Sequence, residues 1–304
     1  MWMLSDAHGH VGDEAERQER RQSGILSLIC ASTPSEAEQL FCHCLEPESE
    51  SCLVPACGIH PWYADRYDLK DMKPWILRCP AVGEIGMDCV WCRVPLNIQE
   101  QKFRQQLELA AETGKPVILH TKGQEKEVAD AIRQYPNRYL VHWYSCERHL
   151  EDYLDLDCWF SVGPDVWWNR AVQRVAETVP IDRLLVETDG LGAVKWAWEQ
   201  GRKQLGQRRD GLSGSRRDRK EGGFVPDGEA VETETAQPGK KPENSVSASL
   251  SHTLKSVADI RGIDPETAGR RFRDNLVLGF LRGRDCRSLI IRSPRAPLAG
   301  HEYL

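Results

Sequence analysis

Residues 97–120 read NIQEQKFRQQLELAAETGKPVILH, and this stretch contains both kinds of element from which the fold is built. Over 97–113, apolar residues recur at helical spacing, which predicts an amphipathic helix. The residues on this apolar stripe are Ile98, Phe103, Leu107 and Ala110 or Ala111. Gly114 then provides a helix stop. The run PVILH at 116–120 is short and apolar throughout, which predicts a buried strand.

The same alternation of a short apolar run and a longer amphipathic one continues through the chain. Eight runs are predicted to be strands: 3–8, 25–31, 53–59, 81–86, 116–120, 138–142, 157–162 and 183–188. Helical patterns lie between them, as at 34–45, 168–179 and 249–261. Repeated strand-helix units predict a parallel sheet, so we predict an α/β fold, a TIM-type (β/α)8 barrel. Periodicity does not show closure, and an open doubly wound sheet remains the alternative.

Length and composition predict the domain organisation. A chain of 304 residues with 40% apolar residues can bury one sizeable core. We predict a single barrel over 1–283, followed by a C-terminal tail at 284–304. Residues 199–248 are rich in polar residues, glycine and proline, so they bury too little apolar surface to offset the entropy of ordering. We therefore predict a disordered insertion after the eighth strand.

Charge and cysteine content narrow the class of protein. The net charge of −6 argues against a general polyanion binder, although bound cations can supply positive charge locally. The eleven cysteines are odd in number and scattered. No secretory leader is evident, and no apolar run approaches the length needed to cross a bilayer. We expect reduced thiols and a soluble protein of the cytoplasm that does not enter a membrane.

Potential metal ligands stand at the C-terminal ends of five of the predicted strands. They are His8 and His10 in the first strand motif, Glu84 in the fourth, His120 and His142 at the ends of the fifth and sixth, and Asp189 after the eighth. In a parallel barrel these ends open on one face, so the six side chains are expected to converge. Alternate residues of an extended strand point the same way, which lets a His-x-His pair bind one cation. The mixed nitrogen and oxygen donors suit zinc, manganese or iron, and magnesium less well.

Each of these residues also has a simpler explanation when it is taken alone. A histidine at a strand end is more often a hydrogen-bonded structural residue, and an aspartate after a strand more often caps the next helix. Helix capping alone does not explain why histidine, glutamate and aspartate residues stand at the same end of several strands. The joint pattern therefore predicts a metal site.

The motifs around these residues resemble the TatD-type metal-dependent deoxyribonucleases of the amidohydrolase superfamily. DAHGH at 6–10 is similar to the family's D-x-H-x-H opening, GIHPW at 58–62 to its G-x-H-P segment, VGEIGMD at 82–88 to the signature around its bridging glutamate, and VETDG at 186–190 to its E-T-D motif. Arg273, Asp274 and Asn275 resemble the start of its N-x-x-x-x-F ending. The resemblance extends from about residue 4 to residue 283, interrupted by the predicted insertion.

This resemblance implies a two-metal phosphodiesterase, a deoxyribonuclease that acts on the ends of DNA. It implies two divalent cations (zinc, manganese or magnesium), one at His8, His10 and Asp189 and the second at His120 and His142, with Glu84 between them. Asp189 and Glu84 are the expected catalytic residues, with Asp189 as both ligand and proton acceptor. His60 and Lys122 are expected to bind a phosphate or another anionic group of the substrate, for which nucleic acid is expected.

The chain departs from the family beside the predicted site. Thr121 and Lys122 follow the fifth-strand histidine, where the family usually has Ser or Cys and then Arg, and lysine lacks the bidentate grip of arginine on phosphate. Cys146 stands where a glycine is usual, and Gly190-Leu191-Gly192 where a proline is usual. Two alternatives stay open. The first is a hydrolase of an ester or amide bond on the same barrel, and the second is a metal-binding interaction platform without catalysis.

Aromatic residues cluster after the predicted strand ends. They are Trp62, Trp91, Trp143, Tyr144, Trp167, Trp168, Trp196 and Trp198. Tryptophan in such loops can stack on nucleobases, and it can equally pack loops against helix ends. The sequence leaves both interpretations open.

Overall fold

The computed structural model of the chain describes residues 2–44, 52–214 and 242–282. The predicted tail at 284–304 and the 215–241 part of the predicted insertion lie outside these ranges. One parallel sheet runs in sequence order through β1 (Ser5–His10), β2 (Leu26–Ala31), β3 (Leu53–Cys57), β4 (Ala81–Gly86), β5 (Val117–His120), β6 (Tyr139–Val141), β7 (Trp159–Val162) and β8 (Leu184–Val186). The α-helices in the described ranges are α1 (Glu14–Gln22), α2 (Pro34–Cys44), α3 (Leu69–Arg78), α4 (Leu96–Thr113), α5 (Glu125–Ile132), α6 (Leu150–Leu154), α7 (Arg170–Thr178), α8 (Leu191–Gly214), α9 (Val246–Arg261) and α10 (Pro265–Asp274). None of these helices is both long and apolar enough to cross a membrane.

The two outer strands of this sheet, β1 and β8, are joined by hydrogen bonds. The backbone N–H of Asp189 donates to the carbonyl of His8 over 3.1 Å. Asp6 adds a side-chain link, because its Oδ1 accepts from the backbone N–H of Thr188 at 2.9 Å and its Oδ2 from the Thr188 hydroxyl at 2.6 Å. The sheet is thereby brought round into a barrel. The predicted (β/α)8 fold is confirmed, and the open-sheet alternative is wrong.

Apolar side chains pack on both sides of the barrel wall. On the outside, Phe103 and Leu107 of α4 are buried, as the apolar stripe of this helix predicts. On the inside, strand residues pack against a π-helical segment, Asn275–Phe280. The side-chain amide of Asn275 donates to the carbonyls of Ile181 and Leu184, each at 2.8 Å, beside the start of β8. This segment fills the N-terminal end of the barrel and leaves the C-terminal end for the site.

Helices extend into both ends of the predicted insertion at 199–248. α8 continues to Gly214, and α9 begins at Val246, a buried residue. The reason is that part of this polar segment packs against the barrel, which its composition does not indicate. Gly201, near the start of the segment, is buried against the ring of Trp167, and Arg202 pairs with Glu243 at 3.1 Å, so the first part of the segment is a helix attached to the barrel.

A network of buried charges lies beside the seam of the barrel. Arg20 of α1 donates to Asp6 Oδ2 at 2.6 Å, to Ser27 Oγ at 2.9 Å and to Glu16 Oε1 at 3.0 Å. All of these residues are buried. Burying a charge is costly unless it is paired and hydrogen-bonded, and here each charge has such a partner. Asp6, the first residue of the DAHGH motif, therefore has a structural role at the seam.

We expect the substitution Arg20→Leu to destabilise the protein strongly, because it leaves the carboxylates of Asp6 and Glu16 buried without their cation. Removing one partner of a buried ion pair costs about 3–5 kcal/mol. Urea unfolding followed by circular dichroism measures the loss. The matched control is Arg21→Ala on the same helix, whose ion pair with the exposed Glu14 is expected to contribute less than about 1 kcal/mol. Equal stability of the two variants would contradict this role for Arg20.

Candidate metal centre

Five histidines surround the buried carboxylate of Glu84 at the C-terminal end of the barrel. Its Oε1 lies 3.2 Å from the Nε2 atoms of both His10 and His60. Its Oε2 lies 2.6 Å from His142 Nε2, 3.2 Å from His120 Nδ1 and 3.8 Å from His8 Nε2. These residues come from or directly follow strands β1, β3, β4, β5 and β6. The convergence expected for the strand ends is therefore present in the fold.

Asp189 completes the cluster from the turn after β8. Its Oδ1 lies 3.2 Å from the Nε2 atoms of both His8 and His10. The residue has φ +57°, in the left-handed region, and Gly190 follows at φ +84°. Such a backbone costs a non-glycine residue about 1–3 kcal/mol and persists only where the surroundings impose it. Here the bond from Asp189 N to His8 O imposes it, and the carboxylate consequently faces the histidines of β1.

The charges of this cluster shift one another's protonation. Burial opposes ionisation of Glu84, but the neighbouring His142, His60 and His8 outweigh it and hold the pKa of the Glu84 carboxyl well below its usual range. Burial would lower the pKa of His142, but the Glu84 carboxylate raises it well above the ordinary value. The carboxylates therefore stay ionised, and their negative charge attracts positive charge into the centre.

The unpaired atoms of the cluster have the chemistry of metal ligands. His8 Nε2 and Asp189 Oδ1 are buried, and neither has a hydrogen-bond partner among the described residues. Three overlapping groups each bring one donor atom per residue within 4.8 Å of the others: His8, His142 and Asp189; His8, His10 and Glu84; His60, Glu84 and His120. A largely buried set of imidazole nitrogens and carboxylate oxygens suits a divalent cation such as zinc or manganese. These residues fit a metal centre.

His60 lies inside this cluster. Its Nδ1 accepts a hydrogen bond from the backbone N–H of Trp62 at 3.1 Å, and its Nε2 faces Glu84. Burial lowers the pKa of His60 to about 4, so the ring is neutral near pH 7. With Nδ1 as the acceptor, the ring proton resides on Nε2. His60 is therefore a neutral donor that points at the Glu84 carboxylate.

Two carboxylates beside the cluster were missed by the sequence reasoning. Asp88 Oδ2 lies 3.2 Å from His120 Nε2 and accepts from Trp62 Nε1 at 2.8 Å. Glu187 accepts from the Ser161 hydroxyl at 2.5 Å, and its Oε1 lies 3.7 Å from His142 Nδ1. Both stand within the motifs already quoted, VGEIGMD and VETDG. The strand period of two offered a signal for Glu187, which is two residues before Asp189.

A cavity of about 360 Å³ opens beside the cluster. Its lining includes His120, His142 and Asp189 from the cluster, and Lys122, whose Nζ donates to Ser145 Oγ at 2.8 Å. Four tryptophans also line it: Trp62, Trp91, Trp143 and Trp196. The predicted site residues thus fall into two groups. The six predicted ligands and His60 are in the cluster, and Lys122 lies along the adjoining cavity.

The sequence is similar to a known family over nearly its whole length. The sequence model described as TatD related DNase matches residues 5–280. The chain is 29% identical over 203 residues to YjjV of Escherichia coli K12, an uncharacterized metal-dependent hydrolase, covering 60% of this chain and 78% of that protein. It is 30% identical over 182 residues to a 3'-5' ssDNA/RNA exonuclease TatD of Edwardsiella piscicida, covering 56% of this chain and 69% of that protein.

Solved structures share the architecture. The crystal structure of YjjV, the TatD homolog from Escherichia coli K12, matches with a TM-score of 0.64 at 20% identity, covering 91% of this chain and 98% of that one. A hydrolase TatD family protein from Entamoeba histolytica matches with a TM-score of 0.65 at 14% identity, covering 92% and 99% of the two chains. At these identities the likeness shows the fold alone.

We expect Glu187→Ala to weaken metal binding without unfolding the barrel, because Glu187 is placed to orient His142 through its Nδ1. Loss of such an outer carboxylate lowers metal affinity by about 10- to 100-fold. Competition with a chromophoric chelator measures the affinity for zinc and manganese, and circular dichroism checks the fold. The control is Glu177→Ala, an exposed carboxylate of α7. Unchanged affinity in Glu187→Ala would show that the contact does not support the ligand.

Proposed function

The chain belongs to the TatD-related DNase family of metal-dependent hydrolases, and from this premise we propose that it hydrolyses phosphodiester bonds at the ends of DNA strands with two divalent cations. The observation that carries the proposal is the position of Glu84, whose two oxygens face different histidines. One relative at 30% identity is named a 3'-5' ssDNA/RNA exonuclease, which supports a nucleic acid substrate.

We assign His8, His10 and Asp189 to one cation and His120 and His142 to the second, with Glu84 between them. When bound, two such cations make a water molecule acidic and neutralise charge that develops on the phosphate. Asp189 receives the proton of the attacking water. Its pKa is lowered, because the neighbouring His10 and His8 outweigh the effect of burial, so the carboxylate is ionised.

Two other residues are assigned to the substrate. His60 is a neutral N–H donor at Glu84, and it can donate to a phosphate oxygen that enters the centre. Lys122 presents an ammonium group along the cavity, tethered by Ser145. Because an ammonium acts as a point charge, Lys122 attracts the phosphate without fixing its orientation.

We expect Glu84→Ala to lower nuclease activity by several orders of magnitude, because positioning and charge stabilisation are lost together. The assay incubates labelled single-stranded DNA and manganese with wild type and variant, with and without EDTA. The control is Glu108→Ala, an exposed residue of α4. Equal cleavage by wild type and Glu84→Ala would show a contaminating nuclease.

The same assay separates the alternatives to a nuclease. A metal-loaded wild type that leaves DNA intact but turns over an ester or amide is the hydrolase alternative. A metal-loaded wild type that turns over none of these substrates supports the interaction platform. Elemental analysis of the same preparation gives the identity and number of the ions, which makes either negative result interpretable.

For Lys122→Ala we expect the KM for single-stranded DNA to rise by about 10-fold while kcat changes little, because the residue contributes attraction to the phosphate. Steady-state kinetics measure both constants, and the rise in KM shrinks at high salt because charge attraction is screened. Lys126→Ala is the matched control, since Lys126 is exposed on α5 and paired with Asp130. A fall in kcat at constant KM would instead place Lys122 in the chemical step.

A further inference from the structure

The exposed tryptophans of this protein are concentrated at one place. Of its ten tryptophans, three are exposed: Trp91 at 53%, Trp62 at 42% and Trp196 at 39%. All three line the cavity beside the metal centre, and the half-buried Trp143 is a fourth lining residue. Indole surface in water costs free energy, and packing of loops would bury it. An exposed set confined to one cavity indicates a surface that binds a ligand.

The rings are arranged as a wall. Trp196 of α8 lies between Trp91 and Trp143, with centroids 5.5 Å and 6.1 Å away and an interplanar angle of 73° to each. Neither pair is stacked face to face. The rings of Trp167 and Trp198, outside the cavity, are stacked with centroids 4.7 Å apart and an interplanar angle of 27°. The two faces in contact therefore cover each other and are closed to a ligand. The cavity tryptophans do not cover one another in that way.

Two of these rings are held by polar contacts that connect them to the metal centre. Trp143 directly follows His142, has φ +38°, and donates from Nε1 to the buried Asp165 at 2.7 Å. Gly163 lies against its ring, since a Cβ there would come within 2.6 Å of it. Trp62 donates to Asp88, which also contacts His120. These two rings are therefore held relative to the cluster by contacts that need no ligand.

The charge along the wall is selective for one class of ligand. Among the described residues that line the cavity, Lys122 is the only lysine or arginine, and its Nζ lies over the Trp91 ring, 5.2 Å from the ring centroid. Asp165 already accepts from Trp143 and Asn169, and Glu125 accepts from Gly123. A metal-loaded centre and an ammonium group both attract an anion, and flat aromatic faces stack on a planar ring. A ligand that matches all three features therefore carries both a phosphate and a planar ring.

We propose that this Trp wall (Trp62, Trp91, Trp143 and Trp196) binds the terminal nucleobase of an unpaired strand, beside the phosphodiester at the metal centre. This inference rests on the proposed function. The cavity volume of about 360 Å³ is near the lower end of ligand pockets, which suits one nucleoside. A base in a duplex is paired and stacked, so an end must fray before its base reaches the wall. Stacking tolerates any base, so the wall selects single-stranded ends without reading sequence.

The first test measures binding without catalysis. Fluorescence anisotropy follows a labelled single-stranded phosphorothioate oligothymidylate, chosen to resist hydrolysis, titrated with metal-loaded protein. We expect Trp91→Ala and Trp196→Ala each to weaken binding by about 5- to 150-fold, the effect of losing one stacked base. Trp91→Phe retains a stacking face and should recover most of the affinity. The controls are Val90→Ala and Leu205→Ala, which remove exposed apolar side chains near Trp91 and on α8 without touching the cavity lining.

The second test compares two oligonucleotides, one with bases throughout and one abasic at both terminal positions. We expect metal-loaded wild type to prefer the complete strand and both alanine variants to lose that preference. Cleavage of both oligonucleotides at equal rates by wild type overturns the Trp wall and leaves the nuclease proposal standing. If wild type cleaves neither, the nuclease proposal fails, and the anisotropy series then decides the Trp wall alone. Equal binding by wild type, Trp91→Ala and Trp196→Ala overturns it.

Discussion

The burial of the Glu84 carboxylate is the constraint on which the site depends. An ionised carboxylate that is 1% exposed is tolerated only where cations or donors surround it. Its partners come from β1, β5 and β6 and from the segment after β3, so no local stretch of chain could supply them. Only the barrel brings these ends to one point. The site therefore requires the barrel, because without the barrel the buried charge of Glu84 would have no histidines around it.

Two buried charge networks share the first strand, and they differ in how completely they are satisfied. Around Asp6, each charged group pairs with a group of opposite charge or a donor, and the network joins β1, β8 and α1. Around His8, two residues further along, the buried atoms His8 Nε2 and Asp189 Oδ1 find no hydrogen-bond partner among the described residues. Native proteins satisfy nearly all buried polar atoms, and exceptions call for an explanation such as an ion. Within the DAHGH motif, Asp6 thus has a structural role, and His8 is a candidate metal ligand.

Much of this could be predicted from the sequence, and the successes and failures have separate physical causes. The eight strands and the convergence of His8, Glu84 and Asp189 follow from strand periodicity and from the geometry of parallel sheets, which are local rules. The helical start of the 199–248 segment did not follow, because Gly201 packs against Trp167 from 34 residues away. The place of His60 against Glu84, like that of Asp88 and Glu187, depends on side-chain directions across different strands, which periodicity along one strand does not give.

The departure at Lys122 and the presence of the Trp wall bear on the same physical problem. A guanidinium holds a phosphate in a fixed plane by two parallel hydrogen bonds, whereas an ammonium attracts it from any direction. A chain with lysine at this position must orient the strand by other contacts if the phosphodiester is to meet the metal centre in one geometry. Flat rings held by Asp88 and Asp165 can do so, because stacking fixes the plane of a base and the sugar links that base to its phosphate. Lys122, at 5.2 Å from the Trp91 ring, then supplies charge where the wall supplies orientation.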